Sequence, residues 1–149
     1  MLVNDNNIPL SEYPREILKR DSYICLNGLW DFKISKSDNI NQEFDLKIMV
    51  PYCVESKLST INKQIAKDDF LLYRRNINID KKFIKDKVIL HLDGVDQVAT
   101  IYINKEYVFK TLINYLPNEI DITSYINDGL NEIIIVIKDD RNKNYPYGK

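Results

Sequence analysis

The chain has 149 residues, of which 44% are hydrophobic and 29% are charged, and its formal net charge is -1. This length is sufficient for one domain with a hydrophobic core, and the balanced charge argues against nucleic acid or an anionic membrane surface as a partner. No apolar run approaches the roughly 18 residues of a membrane span, and the N-terminus lacks the pattern of a secretory signal. We therefore expect a cytoplasmic protein.

Cysteine and histidine are too few for most metal chemistry. Cys25 and Cys53 both lie in apolar stretches, which favours two reduced thiols in the core, although spacing alone leaves a disulfide open. Together with His91 they do not have the spacing of a zinc site, and the acidic residues do not follow a calcium-loop pattern. We expect neither a metal nor a cofactor.

The first 20 residues predict an irregular arm. Pro9 and Pro14 interrupt a mostly polar stretch in which no helical or strand period is visible. Residues 21–149 carry repeated apolar patterns and are expected to form one domain.

Two-residue alternation predicts the first strands of this domain. After Leu26, the large apolar residues Trp30, Phe32 and Ile34 occupy alternate positions and are expected to face the core. The segment FLLYRRNINID alternates in the same way. Its predicted inward set is Leu71, Tyr73, Arg75, Ile77 and Ile79. The connections between these strands are polar or contain proline, with a weak helical turn in STINKQIAKDD.

The segment KVILHLDGVDQVATIYIN contains two further strands joined by a polar corner, and we expect them to form a hairpin. Val88, Leu90 and Leu92 share one face of the first strand, and Ala99, Ile101 and Ile103 share one face of the second. Asn104 and Lys105 then form the predicted turn pair of a hairpin into YVFK.

The C-terminal third contains one strong strand signal. NEIIIVIKDD is apolar at consecutive positions, which indicates a strand buried on both faces. Before it, LINYLPNEIDITSYIN has no strand period, and Thr123 is a candidate cap for a short helical turn. At least six strands without intervening helices predict an all-β sandwich rather than a parallel α/β fold.

No self-contained catalytic site emerges from these residues. His91 lies in mid-strand between leucines and is interpreted as structural, because no motif supplies a nucleophile for it to activate. Asp139 and Asp140 are adjacent on a strand and point to opposite faces, so they cannot form the facing carboxylate pair of a glycosidase. Asp93 and Asp96 are interpreted as turn residues.

The order of several motifs resembles the N-terminal sugar-binding domain of glycoside hydrolase family 2, which includes β-galactosidases, β-glucuronidases and β-mannosidases. The resemblance extends from Pro14 to Lys149, and the ordered set is more specific than any single motif. The matching segments are PREILKRDSYICLNGLWDFKIS, VPYCVESKLS, LLYRRNINI, LHLDGVDQVATIYINKEYV, NYLPNEIDITSYINDGLNEIIIVIKD and YPYGK. The resemblance implies a galactose-binding-domain-like jelly-roll β-sandwich without catalytic residues of its own.

The resemblance also implies a place for this domain in a larger enzyme. In the family, an immunoglobulin-like domain and then a TIM barrel with both catalytic glutamates follow it, and its loops help to line the sugar pocket. The segments that match those loops by position are LLYRR and KDDRN, so Arg75, Asp139 and Asp140 are substrate-rim candidates with Arg74 behind them. Guanidinium and carboxylate groups suit directional hydrogen bonds to sugar hydroxyls, but they equally suit interdomain salt bridges or exposure to solvent.

Two departures from the family pattern concern specificity and turn chemistry. Arg75 stands where β-galactosidases have asparagine, so galactose specificity does not follow, and Lys105 replaces the glycine of a common Asn-Gly turn.

The implied parent is a retaining exo-β-glycosidase of the β-galactosidase type, in which this chain alone has no hydrolase activity. Its partners would be the downstream domains and a β-glycoside sugar. Relatives continue beyond the segment that matches YPYGK, so we expect one domain of a longer protein, with an open sheet edge that could pair into a homo-oligomer. The alternatives are a freestanding carbohydrate-binding module and a purely structural or oligomerisation domain.

Overall fold

The structure, a computed structural model, describes residues 8–14, 17, 20–111 and 116–139. Eight strands dominate these residues, and two single-turn 3₁₀ helices cover Lys57–Ser59 and Thr123–Tyr125. The strands are β1 (Gly28–Ser35), β2 (Leu46–Val50), β3 (Phe70–Ile79), β4 (Ile89–Leu92), β5 (Val98–Ile103), β6 (Glu106–Lys110), β7 (Asn118–Asp121) and β8 (Gly129–Lys138). Across the described residues there is no helix with both the length and the apolar character needed to cross a membrane.

The strands form two antiparallel sheets. The larger sheet has the order β2-β1-β3-β8-β5-β6, and β4 pairs with β7 in a second, two-stranded sheet. The two central strands, β3 and β8, have 10 residues each and pair along their whole length, from Phe70 opposite Lys138 to Ile79 opposite Gly129. The predicted all-β jelly-roll sandwich is confirmed.

The main core lies between the two sheets and uses the faces that alternation predicts. Trp30 and Phe32 from β1 are 4% and 0% exposed. The Phe32 ring meets the Tyr73 ring edge-on, with centroids 4.9 Å apart. Leu90 and Ile120 reach the same core from the smaller sheet. Each such side chain contributes about 1.5–3 kcal/mol through burial, so the core is the main source of stability.

A second, smaller apolar cluster lies on the outer face of the six-stranded sheet. It consists of Leu72, Ile134 and Val136, while the neighbours of Ile134 on β8 point into the main core. This confirms that β8 is buried on both faces. The connection between β1 and β2, predicted as a simple polar loop, covers part of this cluster with Ile40 and Phe44.

The β5–β6 hairpin turns at the predicted pair. Asn104 and Lys105 both have positive φ, at 51° and 69°, as a two-residue type I′ turn requires. The Asn104 side chain is held by the rest of the domain, because its Nδ2 donates to Asn131 Oδ1 at 2.9 Å and to the Tyr125 carbonyl at 2.8 Å. These bonds explain how the turn forms without glycine.

The predicted hairpin of KVILHLDGVDQVATIYIN is wrong. Its two strands, β4 and β5, belong to different sheets, because β4 pairs with β7 whereas β5 pairs with β6 and β8. The polar corner therefore carries the chain from one sheet to the other. Strand β7 was missed because its four residues, NEID, are too short to show a period.

Smaller predictions also need correction. Thr123 lies inside its helical turn, with Ile122 at the cap position, and its hydroxyl donates to Asp121 Oδ1 and accepts from the Val88 amide. STINKQIAKDD is irregular beyond Ser59. Both cysteines are free, as predicted, but neither lies in the core, because Cys53 is exposed and Cys25 is partly exposed. The division between arm and domain at residue 20 stays a prediction.

We expect Asn131→Ala to destabilise the domain by about 2–3 kcal/mol, because it removes a buried amide that organises the turn region. The Asn131 side chain is 1% exposed, accepts from the Asn127 amide at 2.8 Å, and donates to the carbonyls of Asn127 and Gly129. Urea unfolding measures the loss. The matched control is Asn78→Ala at an exposed position of β3, with an expected change within about 0.5 kcal/mol. Equal losses in both variants would contradict the role of Asn131.

Candidate functional site

The three predicted rim residues that the structure describes do not share one place in the fold. Arg74 and Arg75 lie in the middle of β3, where adjacent side chains point to opposite faces. Asp139 follows the last residue of β8. Since Arg75 pairs with Ile133, Asp139 lies six positions further along β8, roughly 20 Å at about 3.3 Å per residue. Asp140 lies outside the described residues.

Arg74 is part of an ion cluster on the outer face of the sheet. Its Nε and Nη2 donate to Asp31 Oδ2 at 3.1 and 3.0 Å, and its guanidinium lies 4.3 Å from the centre of the Phe44 ring. Lys47 Nζ binds the other oxygen of the same carboxylate. Burial acts to raise the pKa of Asp31, but the hydrogen bonds from Lys47 and Arg74 outweigh it and lower the pKa. The cluster joins β1, β2 and β3 across their outer face.

Arg75 supports the entry of the chain into β1 from the opposite face. Its Nη1 donates to the carbonyls of Leu26 and Asn27 at 2.7 and 2.8 Å, and its guanidinium lies 5.9 Å from the Trp30 ring. Burial lowers the pKa of this guanidinium. Gly28 has φ +114°, and a Cβ there would lie 3.4 Å from Arg75 Nη1, so the strand begins at a position that favours glycine.

This support extends to the N-terminal arm. Asn27 Nδ2 donates to the carbonyls of Pro9 and Leu10 at 3.1 and 3.3 Å. The Trp30 indole shares the Leu26 carbonyl with Arg75, at 2.7 Å. Arg75 therefore uses part of its hydrogen-bonding groups to hold the backbone that leads into β1.

The end of the sheet near Asp139 holds a different charged cluster. Lys138 Nζ lies 4.3 Å from the centre of the Phe70 ring and donates to the Asp69 carbonyl at 3.4 Å. Lys36 Nζ binds the carboxylates of Asp68 and Asp69, both at 2.8 Å. Asp69 also accepts from the Ala66 amide at 2.8 Å. This end of the sheet thus presents two carboxylates, those of Asp68 and Asp69, held by lysine and backbone donors.

The antiparallel pairing of β3 and β8 explains why Asp68 and Asp69 lie at the same end of the sheet as Asp139. Phe70 pairs with Lys138, so the residues just before β3 and just after β8 reach the same end of the sheet. The tripeptide KDD occurs at both places, at positions 67–69 and 138–140. The second copy was singled out from the sequence, whereas the first was missed. The recurrence of KDD was visible, but the pairing that joins the copies was not.

The electrostatics of this end suit hydrogen-bond acceptance. The hydrogen bond from Lys36 is the main cause of a lowered pKa at both Asp68 and Asp69. A glycosidase acid needs a raised pKa so that it retains a proton at neutral pH. These two carboxylates are therefore suited to accepting bonds from hydroxyl groups and unsuited to donating a proton. Within the parts of the chain that the structure describes, no three His, Cys, Asp or Glu side chains converge as a metal site.

His91 lies on the exposed side of the smaller sheet. It pairs with Glu119 across β4 and β7, with 3.4 Å between Nδ1 and Oε1. This cross-strand pair agrees with the structural interpretation, and the side chain is exposed.

We expect Asp31→Asn to cost about 1 kcal/mol or less at pH 7, because the ion cluster is partly exposed. A lowered folded-state pKa means that the stabilisation is complete above the ordinary aspartate pKa of about 4 and disappears as the pH falls through the lowered value. The difference between the natural protein and the variant should therefore shrink between pH 5 and pH 2. Urea unfolding across this range tests it. Asp45→Asn is the control, because its carboxylate is 63% exposed and its ion pair with Lys33, at 3.5 Å, is longer than the 3.0 Å contact between Asp31 and Arg74. A difference in the free energy of unfolding that does not change with pH would contradict the stabilising role of the Asp31 carboxylate.

Comparison with known proteins agrees with this architecture. The family described as "Glycosyl hydrolases family 2, sugar binding domain" matches residues 43–145, which includes β2 to β8. A β-galactosidase from Thermoanaerobacter pseudethanolicus is 38% identical over 68 residues, covering 46% of this chain and 9% of the relative. A β-galactosidase from Actinobacillus pleuropneumoniae is 26% identical over 137 residues, covering 78% of this chain and 13% of the relative.

Solved structures give the same result. The crystal structure of a β-D-mannosidase from Dictyoglomus thermophilum superposes with a TM-score of 0.62 and 25% identity, covering 82% of this chain and 17% of that chain. The chain thus spans only a small part of the relatives that it matches. From its β-sandwich and the family match across most of its length, the chain belongs to glycoside hydrolase family 2, as a sugar-binding domain of that family.

Proposed function

We propose that this chain is the non-catalytic N-terminal domain of a longer, retaining exo-β-glycosidase that hydrolyses O-glycosyl bonds. The observation that carries the proposal is the match of residues 43–145 to the sugar-binding domain of family 2, combined with relatives of which the chain covers only 9% and 13%. Chemistry in such a parent would belong to the barrel that the family resemblance implies. The lowered pKa values of Asp68 and Asp69 support a role without proton donation.

Within this proposal, the domain packs on the catalytic barrel of the parent and borders its sugar pocket. The end of the sheet at Asp139 is the best-supported rim, because charged acceptors from two strand ends meet there. A carboxylate at a rim can accept directional hydrogen bonds from sugar hydroxyls. The rim role of Arg74, Arg75, Asp139 and Asp140 stays a prediction. For Arg74 and Arg75, the contacts with Asp31 and with the Leu26 carbonyl support a positioning role instead.

β-Galactosides are the first substrate class to test. The two relatives described above carry the name β-galactosidase, and the longer of the two alignments covers 78% of this chain. A solved relative carries the name β-D-mannosidase, so β-mannosides form the second arm of a substrate survey.

The first experiment tests whether the chain is one domain of a longer enzyme. Sequencing beyond the codon for Lys149 should reveal a reading frame that continues into a barrel pattern. The parent should then hydrolyse a nitrophenyl β-galactoside or one of its β-linked analogues, and the isolated chain should not. A stop codon directly after Lys149, or turnover by the isolated chain that Asp139→Asn abolishes, would overturn the proposal.

We expect Asp139→Asn in the parent enzyme to raise KM about twofold to tenfold with a smaller change in kcat, as for the loss of one substrate hydrogen bond. Asp45→Asn, an exposed carboxylate beside β2, is the matched control and should leave KM unchanged. Arg75→Lys should lower the unfolding midpoint and leave KM unchanged, since it removes the guanidinium whose Nη1 holds two carbonyls. If Arg75→Lys raises KM at unchanged stability while Asp139→Asn has no effect, the rim lies at Arg75.

A further inference from the structure

One partly buried cation has no carboxylate beside it in the part of the chain that the structure describes. The partly buried lysine and arginine side chains there are Lys33, Arg74, Arg75 and Lys138. Three of them have acidic neighbours: Lys33 binds Asp45, Arg74 binds Asp31, and Lys138 lies within electrostatic reach of Asp68. Charges withdrawn from water are normally paired. Arg75 is therefore the exception, and its charge calls for an explanation.

The hydrogen bonds of Arg75 use only one end of its guanidinium. Nη1 donates to the carbonyls of Leu26 and Asn27, which occupies both of its hydrogens. A guanidinium has five N–H donors, and Nε and Nη2 of Arg75 have no partner among the described residues. Arg74 binds Asp31 through this same edge, because it donates from Nε and Nη2. The free edge of Arg75 is thus the edge that suits a carboxylate.

The free edge is open to the surface. Within the described residues, no buried side-chain nitrogen or oxygen lacks a hydrogen-bond partner, so Nε and Nη2 of Arg75 are not enclosed in the core. The Trp30 ring lies 5.9 Å from the guanidinium and contributes to its partial burial. A partner can therefore reach the edge of the guanidinium from outside the domain.

Acidic groups lie near the neighbours of Arg75 but do not offset its charge. On the same face of β3, burial is the main cause of the raised pKa of Tyr73, and Glu55 adds to it. Burial is also the main cause of the raised pKa of Tyr23, to which Asp93 contributes. Neither carboxylate contributes to the pKa of Arg75, which burial lowers.

The side chain that opposes this lowering is the Cys25 thiol. A thiol does not offer the two oxygen acceptors that a guanidinium binds in parallel. Cys25 therefore does not take the place of a carboxylate at Arg75.

Large apolar side chains are exposed on the segments that lead to Arg75. Leu10, Tyr23 and Ile24 are 66%, 40% and 38% exposed. Leu10 is held close to this place, because its carbonyl accepts from Asn27 Nδ2 at 3.3 Å. Arginine together with apolar and aromatic side chains is typical of the surfaces through which proteins and domains pack.

We propose that the free edge of Arg75 binds an acidic side chain from the part of the parent enzyme that follows this domain. This inference rests on the proposed function, in which the chain is one domain of a longer protein. Because the chain covers only 9% and 13% of its relatives, most of such a parent lies outside it. A free anion would lose hydration at a half-buried site, whereas a carboxylate on a packing surface arrives together with apolar contacts.

The two roles of Arg75 are compatible, because they use different parts of one guanidinium. Nη1 holds the backbone that leads into β1, and Nε and Nη2 remain for the carboxylate. The adjacent Arg74 differs in one respect, since its acidic partner Asp31 lies within the domain. This difference makes Arg74 a matched control for Arg75.

Comparison of the isolated chain with the parent enzyme tests the proposal. Arg75→Gln removes the bonds to the two carbonyls in both proteins, but it removes the ion pair only in the parent. Hydrogen exchange of the backbone amides in β3 and β8, measured by mass spectrometry, should therefore show a loss of protection about tenfold larger in the parent than in the isolated chain. Arg74→Gln should cause equal losses in the two proteins.

Arg75→Lys keeps the test valid if Arg75→Gln does not fold as an isolated chain. Lysine retains the charge but not the two parallel donors. Its loss of protection should be about threefold larger in the parent than in the isolated chain. Equal losses for this variant would contradict the ion pair.

The outcomes separate this inference from the proposed function. Equal losses for Arg75→Gln in the isolated chain and in an active parent would overturn the inference alone. A higher KM for a nitrophenyl β-glucuronide without an excess loss of protection would also overturn it, because the carboxylate would then belong to a substrate. A stop codon directly after Lys149 would instead overturn the proposed function, and the inference with it.

Discussion

The pairing of β3 with β8 is the constraint on which the rest of the structure depends. These two strands pair at ten positions in the centre of the larger sheet, and every other strand of that sheet is added to one side or the other. The register fixes which side chains of β3 face the core. It also fixes which chain ends meet at the edges of the sheet. A shift by one residue would turn Leu71 and Ile79 to the outer face and expose the core to a row of polar side chains.

Because β8 is apolar on both faces, its outer side chains must also be covered. Ile134 and Val136 cannot remain exposed on the outer side without cost, and Leu72 on β3 extends the same apolar surface. The β1–β2 connection covers part of this apolar surface with Ile40 and Phe44, and the Arg74 guanidinium lies over the Phe44 ring. Phe70 on β3 and Tyr102 on β5, the two strands that flank β8, also pack against this cluster. Covering a two-sided strand therefore takes side chains from its neighbours in the sheet as well as from a loop.

Sequence patterns predicted the strands well where each strand is long or has one clearly apolar face. The inward faces of β1, β3 and β5 and the two-sided burial of β8 all follow from residue alternation, because burial repeats every second residue in a strand. The patterns did not predict which strands pair with each other. The polar corner after Leu92 looks the same whether it closes a hairpin or crosses between sheets, and only the pairing of His91 with Glu119 decides between the two. The four residues of β7 carry too little signal to reveal that partner.

The candidate site was predictable to a smaller extent, for a related reason. A motif indicates which residues recur at a position, but the direction of a side chain depends on its strand and its neighbours. LLYRR places two arginines side by side, and the alternation of the strand sends Arg74 to an outer ion cluster and Arg75 to the carbonyls that begin β1. KDD before β3 carried no signal of its own, yet pairing brings Asp69 to the same end of the sheet as Lys138 and Asp139. The grouping of candidate residues at one end of the sheet therefore depends on which strand ends meet, and those meetings are long-range consequences of the central ladder. The two lysines of the tripeptide differ in context, because Lys138 is the last residue of β8 and lies over the Phe70 ring, whereas Lys67 precedes β3.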